Sequence, residues 1–249
     1  MKYLTLALLP FFLSCSSVRD LSDAAPGQTR HRMTRQVTTT VNVGYLLYLP
    51  KDYPESTQRW PLIVFLHGSG ESGTDLEAVT RNGPPKIVGQ HQDLPFVILS
   101  PQRSDGQSWA PSTIRMLLED VVRRYQIDTD RVYLTGLSMG GFATWELALE
   151  LPGAFAAIAP VCGGGNPDAV CALRDIPVWV FHGAKDNIVP IENSEEMVTA
   201  LKACGGNVRF TAYPGVGHNS WDSAYGDPEL YRWFLAQHRQ PHPAAGEGH

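Results

Sequence analysis

The sequence has no apolar run near the ~18–20 residues that span a bilayer. Its longest, Leu4 to Leu13, is ten residues. It has no cluster of basic residues either: 20 Lys and Arg stand against 25 Asp and Glu, a net charge of −5. Phosphate binding needs clustered cations, so nucleic acid is not an expected partner. No two of the four cysteines are spaced C-x-x-C, which leaves no zinc or dithiol motif. The lysine and spacing of a P-loop are missing as well, and there is no repeat or interdomain linker. What is there is a 249-residue chain, 43% hydrophobic and 18% charged, long enough for one domain with a full core.

The first residues, "MKYLTLALLPFFLSCSS", carry one lysine, a short apolar stretch and then small residues. This layout is that of an export signal. "FLSC" resembles a bacterial lipoprotein signal, which makes Cys15 the expected lipidated residue and residues 1–14 the part removed. Phe12 stands where such signals usually carry Leu, and cleavage after Ala24 is the rival. The expected location is therefore the periplasm or the outer membrane, with membrane contact only through the lipid. Residues 15–35 read as a polar tether, 36–239 as the catalytic domain and 240–249 as a tail. Export permits disulfides. Of the remaining Cys162, Cys171 and Cys204, the first two are nearest in sequence and are the favoured pair, with three free thiols as the alternative.

Between these ends, strand and helix patterns alternate. "PLIVFLHG" (61–68) is a nearly continuous apolar run, the mark of a strand buried on both faces. Residues 96–101, 132–136, 155–161, 177–183 and 208–215 look alike, and 37–50 alternates like one or two antiparallel strands. Residues 114–126 place Ile114, Leu117, Leu118, Val121 and Val122 on one helical stripe. Helical patterns at 140–151, 193–204 and 227–238 follow, with Asn193 and Asp227 as expected N-caps. The implied fold class is α/β: a mostly parallel sheet with helices on both faces. In such sheets chemistry gathers at the carboxyl ends of the strands.

Gly136, Ser138 and Gly140 spell G-x-S-x-G. The bare pattern is weak, but this one follows a strand and opens a helix, which is the setting of a nucleophile elbow. The bland alternative is a helix-capping serine. A serine hydroxyl is a poor nucleophile until a base takes its proton, and the base needs an orienting partner. "FHGAKDNIVP" follows a buried strand and offers Asp186, and "YPGVGHNSW" follows the next strand and offers His218, each just past a strand end. The chain order Ser138, Asp186, His218 is the one an α/β-hydrolase uses. Asp175 and Asp222 are the weaker acids. His67 and His182 end strands and suit packing or oxyanion-loop roles, while His31, His91, His238, His242 and His249 lie in polar or terminal stretches.

Acyl transfer builds charge on an oxygen, and two backbone N–H groups should meet it. Met139, next to the serine, and Ser69, in the loop "SGESGTD", are the expected donors. Glu71 in that loop is unexpected, because a carboxylate aimed at an oxyanion raises the barrier; pairing with Arg81 or Arg103 would turn it away. No metal or cofactor is expected.

"HGSGESGTD", "GLSMGG", "PVWVFHGAKDNIVP" and "YPGVGHNSWDSAY" together resemble secreted bacterial esterases of the α/β-hydrolase fold. These are variously described as predicted peptidases, phospholipase/carboxylesterases or polyhydroxybutyrate-depolymerase-like proteins. The likeness covers roughly residues 36–238. It implies a serine hydrolase with Ser138, Asp186 and His218 as its triad and oxyanion donors at Ser69 and Met139. Members act on short-chain acyl, feruloyl or acetyl esters, including those of plant polysaccharide, so small or polysaccharide-linked esters are the implied substrates. About 15 residues separate "FAAIAPV" from "PVWVFHG", too few for a helical cap. Trp109 and Trp221 are candidate pocket walls, against a core role for each. A serine peptidase is the alternative reading, and a binding protein on an inactive hydrolase scaffold is the second.

Overall fold

The computed structural model describes residues 40–239 apart from 56, 91 and 92. Cys15, the signal, the tether and the tail lie outside the described residues. Among the described residues, seven strands form one sheet: β1 (Tyr45–Tyr48), β2 (Trp60–Leu66), β3 (Val97–Pro101), β4 (Ile127–Leu137), β5 (Ala157–Val161), β6 (Val178–Gly183) and β7 (Val208–Tyr213). Their spatial order is β1-β3-β2-β4-β5-β6-β7. Only β1 runs antiparallel, pairing Tyr45 with Pro101 and Tyr48 with Ile98. The other ladders are parallel.

The alternation of side chains along a strand divides the core in two. Leu62, Val64 and Leu66 of β2 face one layer, where they meet helices α2 (Pro111–Arg124), α3 (Met139–Glu150) and α4 (Glu192–Ala203). Ile63 and Phe65 face the other layer, which holds α5 (Trp221–Gly226) and α6 (Pro228–Leu235), with Ile87 and Val88 of α1 (Gly83–Gly89) at its margin. Every residue of β2 is buried, which explains its unbroken apolar run. Each fully buried Leu, Ile or Phe is worth roughly 1.5–3 kcal/mol, so the central strands hold the sheet rigid where the site is built.

Several boundaries differ from the sequence reading. The 37–50 pattern yields one short strand in its described part, β1. β4 starts at Ile127 rather than Val132, with a register irregularity between Trp60 and Leu62 of its partner. α4 starts at Glu192, so Asn193 lies inside its first turn, where its side-chain amide donates to the Pro190 carbonyl at 3.0 Å instead of capping. Asp227 does cap α6, accepting from the Glu229 N–H. Helices α1 and α5 were not anticipated.

The expected Cys162–Cys171 pairing is incorrect. Cys171 is bonded to Cys204, and Cys162 is a buried free thiol. Cys162 directly follows β5, at the carboxyl edge of the sheet. Cys171 sits in a 3-10 turn (Val170–Leu173) below that edge, and α4 carries the chain back down to it, delivering Cys204. Nearness in sequence was overridden by the crossover.

From β2 the chain leaves through α1 to β3 on one side; from β4 it leaves through α3 to β5 on the other. Strands β2 and β4 are neighbours, so their carboxyl ends form the crevice at which an open α/β sheet binds ligands.

Candidate active site

Ser138 stands at that crevice, between the end of β4 and the start of α3. Its backbone is held at φ 52°, ψ −117°, a strained conformation for a residue with a side chain. The surroundings enforce it. A Cβ on Gly136 would lie 2.3 Å from the Gly140 carbonyl oxygen, and one on Gly140 would lie 2.0 Å from that of Leu66. Only two glycines let the turn close this tightly on β2. The Ser138 N–H donates to the Val161 carbonyl at 3.0 Å, tying the elbow to β5. Met139 is the first residue of α3, so its N–H has no partner four residues back.

Asp186 and His218 follow β6 and β7. The Ser138 hydroxyl lies 3.0 Å from His218 Nε2, and His218 Nδ1 lies 2.7 Å from Asp186 Oδ2. An ionised carboxylate only accepts, so Nδ1 carries the proton and donates, leaving Nε2 free to accept from serine. Three groups far apart in the chain are thus in continuous contact.

The Asp186 side chain is fully buried. Burial pushes its carboxyl upward, but hydrogen bonds from His218 and from the Val189 and Ile188 N–H groups outweigh that and hold it below its ordinary value. A second imidazole, His182, also faces it, with Nε2 3.3 Å from Oδ2. His182 is buried, 2.9 Å from the Val189 carbonyl and 2.7 Å from the Ser194 hydroxyl, so it fastens the acid's loop to α4. The rival acids drop out: Asp175 is exposed beside Arg174, and Asp222 pairs with Lys86 at 2.7 Å on the surface.

On the other side of the crevice, Ser69–Glu71 form a 3-10 turn after β2. His67 anchors it. Its Nδ1–H donates to the Gly68 carbonyl at 2.6 Å, and its Nε2 accepts the Arg103 N–H at 3.0 Å. Burial lowers its pKa, in keeping with a neutral ring that both donates and accepts. Trp109 is a core residue rather than a pocket wall: it is 5% exposed and packs edge-on against His67 at 4.8 Å. Trp221 is only partly buried and meets His218 at right angles, ring centres 5.2 Å apart.

Glu71 does not pair with Arg81 or Arg103. Its carboxylate accepts from the Asn82 amide at 2.6 Å, and its carbonyl accepts from the Gln102 side chain at 2.9 Å. Arg103 reaches the Ser72 hydroxyl instead, at 2.7 Å. Asn82 and His182 carried no signal in the sequence that set them apart from turn and packing residues. Cys162 lies behind the relay, its sulfur within 4.8 Å of Asp186 and His218 ligand atoms. Burial pushes this thiol up to about 12.

A seven-stranded, mostly parallel sheet with a strained serine at its switch point, relayed through histidine to a buried aspartate, defines an α/β-hydrolase. A family model described as phospholipase/carboxylesterase matches residues 96–227, more than half of the chain, and the chain belongs to that family. A solved thermostable esterase superposes with a TM-score of 0.69 at 35% identity, over 81% of this chain and 60% of that one. The bifunctional acetylxylan esterase/xylanase of Neocallimastix patriciarum is 31% identical over 142 residues, 54% of this chain and 20% of that protein. Poly(3-hydroxyalkanoate) depolymerase C of Paucimonas lemoignei is 28% identical over 144 residues, 51% of this chain and 33% of that protein. The chain thus spans a third or less of these two relatives' length.

Proposed function

We propose that the protein is a serine esterase that cleaves carboxylic esters through an acyl-Ser138 intermediate. The observation that carries this reading is the unbroken relay, Ser138 Oγ to His218 Nε2 at 3.0 Å and His218 Nδ1 to Asp186 Oδ2 at 2.7 Å. His218 takes the serine proton as Oγ attacks the ester carbonyl, then gives it to the departing alcohol. Asp186, held ionised, fixes the tautomer and stabilises the imidazolium. Water activated by His218 then releases the acid. The N–H groups of Met139 and Ser69 are the proposed oxyanion donors. Each such donor is worth about 3–4 kcal/mol by mutational analogy.

Short, exposed acyl groups are the proposed substrates, small or attached to a polysaccharide or polyester. The segment 162–177 between β5 and β6 carries only one 3-10 turn, so no helical cap encloses a long acyl chain there. The two relatives whose names specify acetylxylan and a polyhydroxyalkanoate support the same class. Trp221, beside His218, is the proposed wall of the acyl or alcohol pocket. We also propose export with a lipid anchor at Cys15; the Cys171–Cys204 disulfide supports an oxidising compartment.

Ser138→Ala tests the reaction: turnover of p-nitrophenyl acetate should fall by about 10⁴–10⁶ with the fold intact. A fluorophosphonate probe should label the wild type and not the variant. Wild-type turnover in Ser138→Ala would remove the assignment.

A further inference from the structure

Asn82 occupies an unusual position. It stands at the N-cap of α1, where an asparagine ordinarily turns its side-chain oxygen onto the helix's free N–H groups. Here it makes no capping bond. Its Nδ2 donates to Glu71 Oε1 at 2.6 Å, and its Oδ1 accepts from the Trp221 indole N–H at 3.0 Å. The two partners fix the amide's orientation, since a carboxylate can only accept and an indole can only donate. The backbone is shaped for this placement. Gly83 follows as the first residue of α1 at φ 69°, where a Cβ would lie 2.4 Å from the Phe65 ring, and Pro84 and Pro85 come next in its first turn.

The ends of this chain of contacts are the two halves of the active site. Glu71 closes the 3-10 turn that begins at Ser69. Trp221 packs edge to face on His218, ring planes 85° apart. We propose that Asn82 is a positioning residue: through Glu71 and Trp221 it holds the oxyanion loop and the His218 imidazole at a fixed separation. The inference rests on the esterase reading. The transition state of acyl transfer needs the oxyanion donors and the base in register at the same moment, whereas ground-state substrate binding does not. The loss of the link therefore falls on kcat and spares KM.

The experiment uses the full chain, p-nitrophenyl acetate and a fluorophosphonate probe that counts competent Ser138 sites. Trp221→Phe keeps an aromatic ring but removes the indole N–H together with its five-membered ring; Asn82→Ala removes both contacts. Each should lower kcat per labelled serine by about tenfold with KM within about twofold. Because both variants break the same Asn82–Trp221 bond, the double variant should lie within about twofold of the worse single one. A residue that merely supports the fold would reduce the labelled fraction and leave kcat per labelled serine unchanged, and that result overturns the proposal. So does a double variant whose losses multiply. If Asn82→Ala does not fold, Trp221→Phe alone decides: wild-type kcat overturns the proposal. Ser138→Ala is run alongside; residual wild-type turnover there would instead discard the esterase reading.

Discussion

Breaking the Cys171–Cys204 bond should lower stability by an amount that follows from the length of chain it closes. The two residues are 33 apart. A cross-link of that span removes about 12 cal/mol/K of entropy from the unfolded chain, or about 4 kcal/mol at 25 °C. For a domain of this size each kcal/mol moves the midpoint by roughly 2–4 °C, so a drop of about 8–15 °C is expected. The enclosed segment contains β6, Asp186 and α4, so the relay should be lost in the same transition. The double variant Cys171→Ala, Cys204→Ser is the right perturbation, because a single one leaves a thiol free to exchange. The assay is thermal unfolding followed by circular dichroism and by esterase activity, with the bond verified in the wild type by mass mapping of unreduced peptides. A mapped Cys162–Cys171 peptide would refute the pairing. A midpoint shift under about 3 °C, with the mapped bond present, would refute the entropic reasoning.

Asp186→Asn should leave the fold intact and lower kcat by about 10⁴, because an amide stabilises the wrong imidazole tautomer; a loss under tenfold would show that His182 or another group orients His218. Acid should destabilise the protein in two windows. His67 is held neutral in the fold, so its contribution is complete above its ordinary value of 6.5 and is lost as pH falls from there toward its lower folded value. Asp186 contributes above its ordinary value of 3.8 and loses that contribution as pH falls through its lower folded value. The measurement is the unfolding midpoint from pH 7.5 to 3; His67→Asn should flatten the upper window only. Finally, Cys162 should resist iodoacetamide at pH 8 in the folded protein and react on unfolding, as its burial and raised pKa require; rapid alkylation of the native protein would contradict both.

The catalytic relay could be read from the sequence because each of its members follows a strand, Ser138 and Asp186 after buried ones and His218 after the half-exposed edge strand β7, and a parallel sheet brings all such ends to one edge. Ser138 was legible from its setting, a serine between a strand and a helix; the two glycines alone were a weak signal, and it is the fold that shows backbone contact requiring them. The residues that escaped attention act across the crevice. Asn82 sits in "RNGPP", which reads as a turn, and its partners Glu71 and Trp221 lie 11 and 139 residues away. Charge complementarity suggested an arginine for Glu71, but a neutral amide satisfies the carboxylate while freeing Arg103 for Ser72. Trp109 illustrates the converse. An aromatic residue past a strand end suggests a pocket wall, yet here its ring is spent on supporting His67.

The same geometry explains where the fold keeps five of its buried polar groups. His67, Glu71 and Gln102 lie beyond the ends of β2 and β3, and His182 and Ser194 gather around the end of β6. An unpaired buried polar group costs about 1–3 kcal/mol, and each of these five has a hydrogen-bond partner. Apolar residues of similar volume at these places could leave stability unchanged or improve it, as happens when buried polar networks are replaced elsewhere. They would also remove the directional bonds that hold the Ser69 turn and the Asp186 loop. Hydrophobic packing fixes the strands, but it is indifferent to the rotation of a loop about its ends. Directional bonds at the sheet's carboxyl edge supply that constraint, and the site depends on it.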